Sequence, residues 1–185
     1  MTIAGLAKLA IESCESEEVD YMLTGAFATG CYGIPRSTKD VDLVISVVAP
    51  GDMERVIARL EPDVEFIGQA QFDTITWGQR QVGQTRKAPF YKIELFKLFD
   101  DEFVKAQFGR RVQFPVSVLE RNVWIPTAED VIVQKLRWAR DKDLVDATDV
   151  LIVQGLDRLD MHYVREWCDK LGISERLAAV LERAT

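Results

Sequence analysis

The distribution of apolar runs along the chain predicts an α+β fold. Two observations carry this. Every run with strand character falls before Pro126, and the runs after it have helical spacing. The expected architecture is a mixed β-sheet flanked by helices with a helical C-terminal part. Residues 1–126 form the α+β core, and residues 127–185 a helical segment packed on it as one structural unit. A third observation sets the scale: 185 residues, 48% of them hydrophobic and 29% charged, suit one compact domain with a substantial core.

The elements follow in order. Ile3, Leu6, Leu9, Ala10 and Ile11 recur at helical spacing over Ile3 to Cys14. Tyr21 to Leu23 is a short strand that ends at Gly25, and Ala26 to Cys31 a short helix stopped by Gly33 and Pro35. Val41 to Val48 is the clearest strand. Pro50, Gly51 and Asp52 introduce a helix with Met53, Val56, Ile57 and Leu60 on one face. Val64 to Ile67 reads as a strand, and Phe72 to Trp77 fits neither pattern. Gln81 to Arg86 and Tyr91 to Phe96 form a hairpin across Lys87–Phe90. Asp100 to Gly109 is helical, with short extended runs at Val112 to Phe114 and Val123 to Ile125. Thr127 and Asp130 have capping-box spacing ahead of a helix carrying Val131, Ile132, Leu136 and Trp138. Three further helices are expected over Leu144 to Gln154, Met161 to Leu171 and, after a Ser174 cap, Glu175 to Leu181.

Composition narrows the function classes. The net charge of −7 argues against a generic nucleic-acid coat, which needs a broad basic surface. Cys14, Cys31 and Cys168 stand far apart with no paired ligand spacing, so structural zinc is not expected and free thiols are. No basic-then-apolar leader and no apolar run of about 20 residues occur, so the expectation is a cytoplasmic protein without a membrane partner. His162, the single histidine, has no nucleophile pattern around it and reads as packing or surface. Trp77, Trp124, Trp138 and Trp167 read as core residues.

The chemistry concentrates between Tyr21 and Val48. Along a strand, alternate side chains share a face, so Asp40 and Asp42 point the same way with Cα atoms roughly 6–7 Å apart. Two carboxylates at that spacing can hold one hard cation or bridge two, and magnesium suits oxygen ligands shared with phosphates. Gly25 and Ala26, at a strand-to-helix turn, let a phosphate approach the backbone N–H groups of the following helix. An isolated Asp-x-Asp is more often a solvated strand start. Here it opens a strongly apolar strand, with the glycine turn one short helix upstream. Arg80, Arg86, Lys87, Lys92 and Lys97 make the hairpin locally basic. Such a strip could meet a triphosphate or the backbone of an RNA.

This pattern resembles the polymerase-β-like nucleotidyltransferase superfamily, and in finer detail its small bacterial branch of minimal and abortive-infection toxin-type nucleotidyltransferases. Gly25, Ala26, Ala28, Gly33, Arg36, Thr38, Asp40 and Asp42 follow in that branch's order. Glu94 matches a third carboxylate on a later strand. Pro126 to Asp130 with Lys135, then Arg140 to Asp143 with Asp146, resemble the helical segment that follows the catalytic sheet. The resemblance spans roughly residues 20 to 150.

It implies a nucleotidyltransferase-like sheet and magnesium-dependent transfer of a nucleotide from a nucleoside triphosphate to a hydroxyl acceptor, RNA or protein. It also implies a possible place in a toxin–antitoxin or phage-defence system, with a cognate partner. Asp40, Asp42 and Glu94 would be catalytic and hold two magnesium ions. Gly25, Ala26, Arg36, Thr38 and Lys135 would bind the nucleotide. The chain departs from the pattern at Ala26, where the family has Gly or Ser, and at Glu94, where Asp is common. These departures support a rival reading, a catalytically weakened nucleotide- or partner-binding module. A second rival is modification of a small molecule, as in antibiotic nucleotidyltransferases, for which a compact acceptor pocket would speak.

Overall fold

The computed structural model describes residues 1–72 and 78–184. Trp77 and most of the ambiguous run from Phe72 lie outside them. The chain forms a six-stranded mixed sheet, a two-stranded sheet and eight α-helices among the described residues. Helix α1 (Ile3–Ser16) starts at Thr2, whose hydroxyl accepts the Gly5 N–H at 3.0 Å, and buries Leu6, Ala7, Ala10, Ile11 and Cys14. Strand β1 (Tyr21–Leu23) leads into α2 (Gly25–Tyr32), and β2 (Asp40–Ile45) follows.

β2 ends earlier than the apolar run that continues to Val48. The Asp52 carboxylate accepts the N–H groups of Val48 and Ala49 at 2.8 and 2.7 Å. That turns the chain into α3 (Asp52–Leu60) before the strand can use its remaining β-prone residues. Next come β3 (Val64–Phe66), β4 (Gln71–Phe72), β5 (Gln79–Thr85) and β6 (Lys92–Lys97). β5 and β6 form the expected hairpin, with Val82 opposite Glu94. The Thr85 hydroxyl accepts the Tyr91 N–H across its neck at 3.0 Å.

The sheet order is β1-β2-β6-β5-β3, with β4 on β5. Among the described strands only β2 and β6 are parallel, and this central pair sets Asp40 opposite Lys92 and Asp42 opposite Glu94. The sheet has two unlike faces because side chains alternate. Val41, Leu43 and Ile45 of β2 and Ile93 and Leu95 of β6 are fully buried in the main core. The opposite face carries the polar positions at one end and Met22, Val44 and Phe96 at the other, covered by Phe108 of α4 (Glu102–Arg110).

Strands β7 (Val112–Val116) and β8 (Arg121–Ile125) pair separately, joined by a 3-10 turn at Ser117–Leu119. Helix α5 (Ala128–Trp138) is capped by Thr127, as its spacing predicts; the Thr127 hydroxyl accepts the Asp130 N–H at 3.3 Å and donates to the Asp130 carboxylate at 2.9 Å. Helix α6 (Asp141–Gln154) begins three residues before its apolar periodicity, which brings Asp143 into its first turn. α7 (Met161–Lys170) and α8 (Ser174–Ala184) complete the fold. Ser174 lies within α8, and its hydroxyl bonds the Asp169 carboxylate. One continuous apolar core runs from Leu6 to Val180, joining the sheet to all four C-terminal helices. No helix among the described residues is long and apolar enough to cross a membrane.

Candidate active site

A cavity of about 280 Å³ opens on the polar end of the sheet, and all eight residues singled out from the sequence line it: Gly25, Ala26, Arg36, Thr38, Asp40, Asp42, Glu94 and Lys135. Its floor is the parallel pair β2–β6. Neighbouring strands lie about 4.8 Å apart, so the Asp42–Glu94 register holds those two carboxylates side by side, with Asp40 two residues along. The remaining lining is basic or aromatic: Arg80, Lys92, Phe96, Trp138, Arg140 and Lys142.

Gly25 is required where it stands. Its φ of +62° is left-handed, and a Cβ there would fall 2.0 Å from Asp42 Oδ2. The absent side chain lets the Asp42 carboxylate sit against the N-terminus of α2. Thr24 supplies no side-chain cap to that helix, so its first-turn N–H groups and positive dipole end face the cavity uncapped by Thr24. The Thr38 hydroxyl accepts the Asp40 N–H at 3.1 Å, tightening the turn that delivers Asp40 to the strand.

The floor carries more negative charge than it neutralises locally. Burial, then the neighbouring Glu94 and Asp40 charges, push the Asp42 carboxyl up to about 7, against smaller opposing effects of Lys92 and Lys135. Lys92 bridges the floor: its ammonium lies 2.5 Å from Glu94 Oε1 and 3.7 Å from Asp40 Oδ1. Burial works against that ammonium, but the Glu94 hydrogen bond and the nearby carboxylates raise it above its ordinary range. Arg80 donates to the other Glu94 oxygen at 3.0 Å.

The carboxylate oxygens on one face suit a hard cation, and the neighbouring N-terminus of α2 suits the phosphate oxygens such a cation would share. The three-carboxylate metal set is not assembled in this state. Among the described residues, no group of three His, Cys, Asp or Glu side chains is arranged to hold a metal ion. Glu94 is turned to Arg80 and Lys92, which leaves Asp40 and Asp42 as the carboxylates that could hold a hard cation such as magnesium.

The helical wall is organised differently. Lys135 is almost fully buried and donates to Asp143 at 3.2 Å and Asp146 at 2.6 Å. Arg36 grips Asp146 through both carboxylate oxygens at 3.0 and 3.2 Å. Arg140 does the same to Asp143 at 2.5 and 3.2 Å. Burial would raise the Asp146 carboxyl, but hydrogen bonds from Arg36 and Lys135 hold it below its usual range. Two carboxylates thus lock three cations onto the cavity wall. Asp143 and Asp146, within the segment whose pattern resembled the family's helical part, are what position Arg36 and Lys135.

The basic residues of the hairpin do not form one strip. Arg80 and Lys92 reach the cavity. Arg86 bonds the Glu61 carbonyl at 2.8 Å beyond the sheet's far edge, and Lys97 lies outside the cavity lining. Trp124 and Trp167 pack against the core as expected, the latter edge-on to Phe103 with ring centroids 5.3 Å apart. Trp138 does not: it ends α5 at the cavity wall, with the Arg140 guanidinium 5.1 Å from its ring. Its bulk reads as core in the sequence, and nothing in the helical period reveals which wall it joins. His162 is exposed. Burial pushes the Cys31 thiol up to about 11, and it donates to the Phe27 carbonyl, so it is no nucleophile.

Neither a protein-family model nor a curated protein sequence matches the chain. Solved structures do resemble it. The crystal structure of ANT(2'')-Ia in complex with adenylyl-2''-tobramycin matches with a TM-score of 0.62 at 14% identity, over 100% of both chains. The solution structure of the same antibiotic-resistance factor gives 0.61 at 12%, over 97% of this chain and 95% of that one. An antigenic nucleotidyltransferase-like protein from Paracoccidioides brasiliensis gives 0.58 at 20%, over 97% and 91%. The fold is therefore that of nucleotidyltransferases over nearly the whole chain, a mixed sheet with a helical C-terminal region.

Proposed function

We propose that the protein is a magnesium-dependent nucleotidyltransferase that moves a nucleotide from a nucleoside triphosphate to a hydroxyl acceptor. The observation that carries this reading is the parallel β2–β6 register, which sets Asp42 beside Glu94 under the glycine turn of α2. Asp40 and Asp42 would hold the metal. When bound, magnesium supplies neutralising charge to the triphosphate and lowers the cost of pyrophosphate departure.

The chain's own groups do the rest. The N–H groups of Gly25 and Ala26 bind phosphate oxygens, and Ala26 needs no hydroxyl for that. Arg80 and Lys92 stabilise the spreading negative charge, and the wall, three cations on two carboxylates, adds a net positive charge behind them. Trp138 offers its ring face to the base. The acceptor oxygen bonds to the α-phosphorus, the bond to the bridging oxygen breaks, and pyrophosphate leaves. Glu94 takes the acceptor proton once phosphate oxygens draw Lys92 and Arg80 away from it. The helical segment 127–185 belongs to this catalytic unit, since Lys135 and Trp138 complete the cavity.

The acceptor is a small molecule in this reading. The open basic strip that an RNA would use is interrupted, and a second, larger cavity adjoins the first. The likeness to ANT(2'')-Ia, solved with adenylyl-2''-tobramycin, supports a small-molecule acceptor in general. The resemblance to toxin-type nucleotidyltransferases supports an RNA or protein acceptor instead. The paired state of Glu94 supports the weakened binding module. One experiment separates the three. The protein is incubated with each α-labelled triphosphate, magnesium, and in turn low-molecular-mass extract, RNA and protein. Label in the low-mass fraction, lost in Asp42→Asn, is the expected result. Label in RNA or protein would replace the acceptor, and no transfer by the wild type to any fraction would overturn the enzyme.

A further inference from the structure

We infer that the cavity beside the acidic floor is the acceptor subsite, and that it takes an uncharged, largely apolar or aromatic molecule bearing the hydroxyl. This rests on the transfer reading above and adds the class of acceptor. The cavity measures about 520 Å³ and is walled by α1, α2, the loop after α2 and the β7 end, with Ile3, Phe27, Cys31, Phe114 and Val118 among its lining. Ligand cavities of about 300–1,000 Å³ with mainly apolar walls and a few polar groups bury most of a small organic molecule.

The cavity meets the acidic one at Ala26, Arg36 and Thr38, which line both. A molecule seated there has its exit toward the α-phosphate across the first turn of α2. The acidic cavity shares a different pair, Phe96 and Trp138, with a third pocket of about 30 Å³, too small for a substrate group. Another cavity of about 260 Å³ shares Arg80 alone with the acidic one, so the α2 flank, joined through three residues, offers the broadest junction to an acceptor.

The lining also sets the charge of the occupant. It holds no carboxylate, so a polycationic acceptor would sit there without a counter-charge. Its one charged residue, Arg36, is already gripped by Asp146 through both carboxylate oxygens, which leaves it little to offer an anionic acceptor. The Thr38 hydroxyl is engaged with Asp40, and the Cys31 thiol with Phe27. What remains is apolar surface, with the Ser37 and Ser117 residues as the few polar neighbours.

The test uses 2-naphthol, a neutral aromatic alcohol, as fluorescent ligand, and a polyamino sugar as comparator. Two variants narrow the cavity: Val118→Trp at its exposed rim and Cys31→Phe on α2. Binding of the magnesium complex of a non-hydrolysable triphosphate is measured in parallel. Expected is saturable 2-naphthol binding by the wild type, about tenfold weaker in both variants, with unchanged melting temperature and triphosphate binding. Naphthol binding unaffected by either variant, or absent from a wild type that takes the polyamino sugar, would overturn the subsite. Naphthol binding that the variants weaken, in a protein that ignores the magnesium triphosphate, would keep the cavity and remove the transfer reading.

Discussion

The two charged regions of the cavity are built from the same residue types and behave in opposite ways. On the helical wall, each carboxylate meets two cations, Asp143 with Lys135 and Arg140, Asp146 with Lys135 and Arg36, and Asp146 is held below its ordinary range. On the sheet floor, three carboxylates crowd together and the Asp42 carboxyl is pushed up to about 7. The wall is a finished structure: its charges satisfy one another at fixed geometry. The floor is less balanced: Arg80 and Lys92 pair with Glu94 and Asp40, and in the proposed reading a metal ion would supply the charge that Asp42 lacks. In that reading the wall holds the site together and the floor meets the substrate.

Breaking the wall should have the largest effect on stability. Lys135→Ala removes the shared partner of two buried carboxylates. Leaving buried charges uncompensated costs about 3–5 kcal/mol, seen as a lower urea midpoint with an unchanged slope.

The floor should respond to pH with the opposite sign from the wall. A carboxyl whose folded pKa is raised favours the folded state most below its unfolded value. That advantage is lost as pH rises through about 7. The metal-free protein should therefore lose on the order of 2 kcal/mol, after solvent screening, between about pH 4 and pH 8. Asp42→Asn should flatten that fall in a pH series of melts. The lowered Asp146 works the other way, its contribution disappearing only as the solution becomes strongly acidic.

A smaller effect is expected at the aromatic edge of the wall. Trp138→Ala should raise KM for the triphosphate by about tenfold, the loss of one base–aromatic stack of about 1–3 kcal/mol. It should leave the urea midpoint closer to the wild type than Lys135→Ala does. An equal loss of stability would make Trp138 part of the structural clasp rather than a face for substrate.

The floor was more legible in the sequence than the wall. Asp40 and Asp42 declare their common face through the strand period, and Gly25 declares a turn that needs a positive φ. The pairing of β2 with β6 is not written locally, because it joins segments about 50 residues apart across α3 and three other strands. Glu94 entered through resemblance, and its partner Arg80 emerges only from the β5–β6 register. The wall was read in part. Lys135 and Arg36 entered as phosphate cations through the resemblance, while the Lys135 and Arg140 contacts to Asp143 depend on α6 starting at Asp141. Apolar periodicity places that start at Leu144, since Arg140 to Asp143 carry no apolar residue. The large cavity draws its walls from α1, α2 and the β7 end, which no single stretch of sequence brings together.

The most direct test of the contrast is calorimetric titration of a non-hydrolysable triphosphate, with and without magnesium, into the wild type and Asp42→Asn. If the floor is the metal–phosphate site, magnesium strengthens binding to the wild type by at least about tenfold, and Asp42→Asn loses that gain while keeping the weaker metal-free binding to the cations. Equal strengthening by magnesium in both proteins would contradict the assignment of the floor.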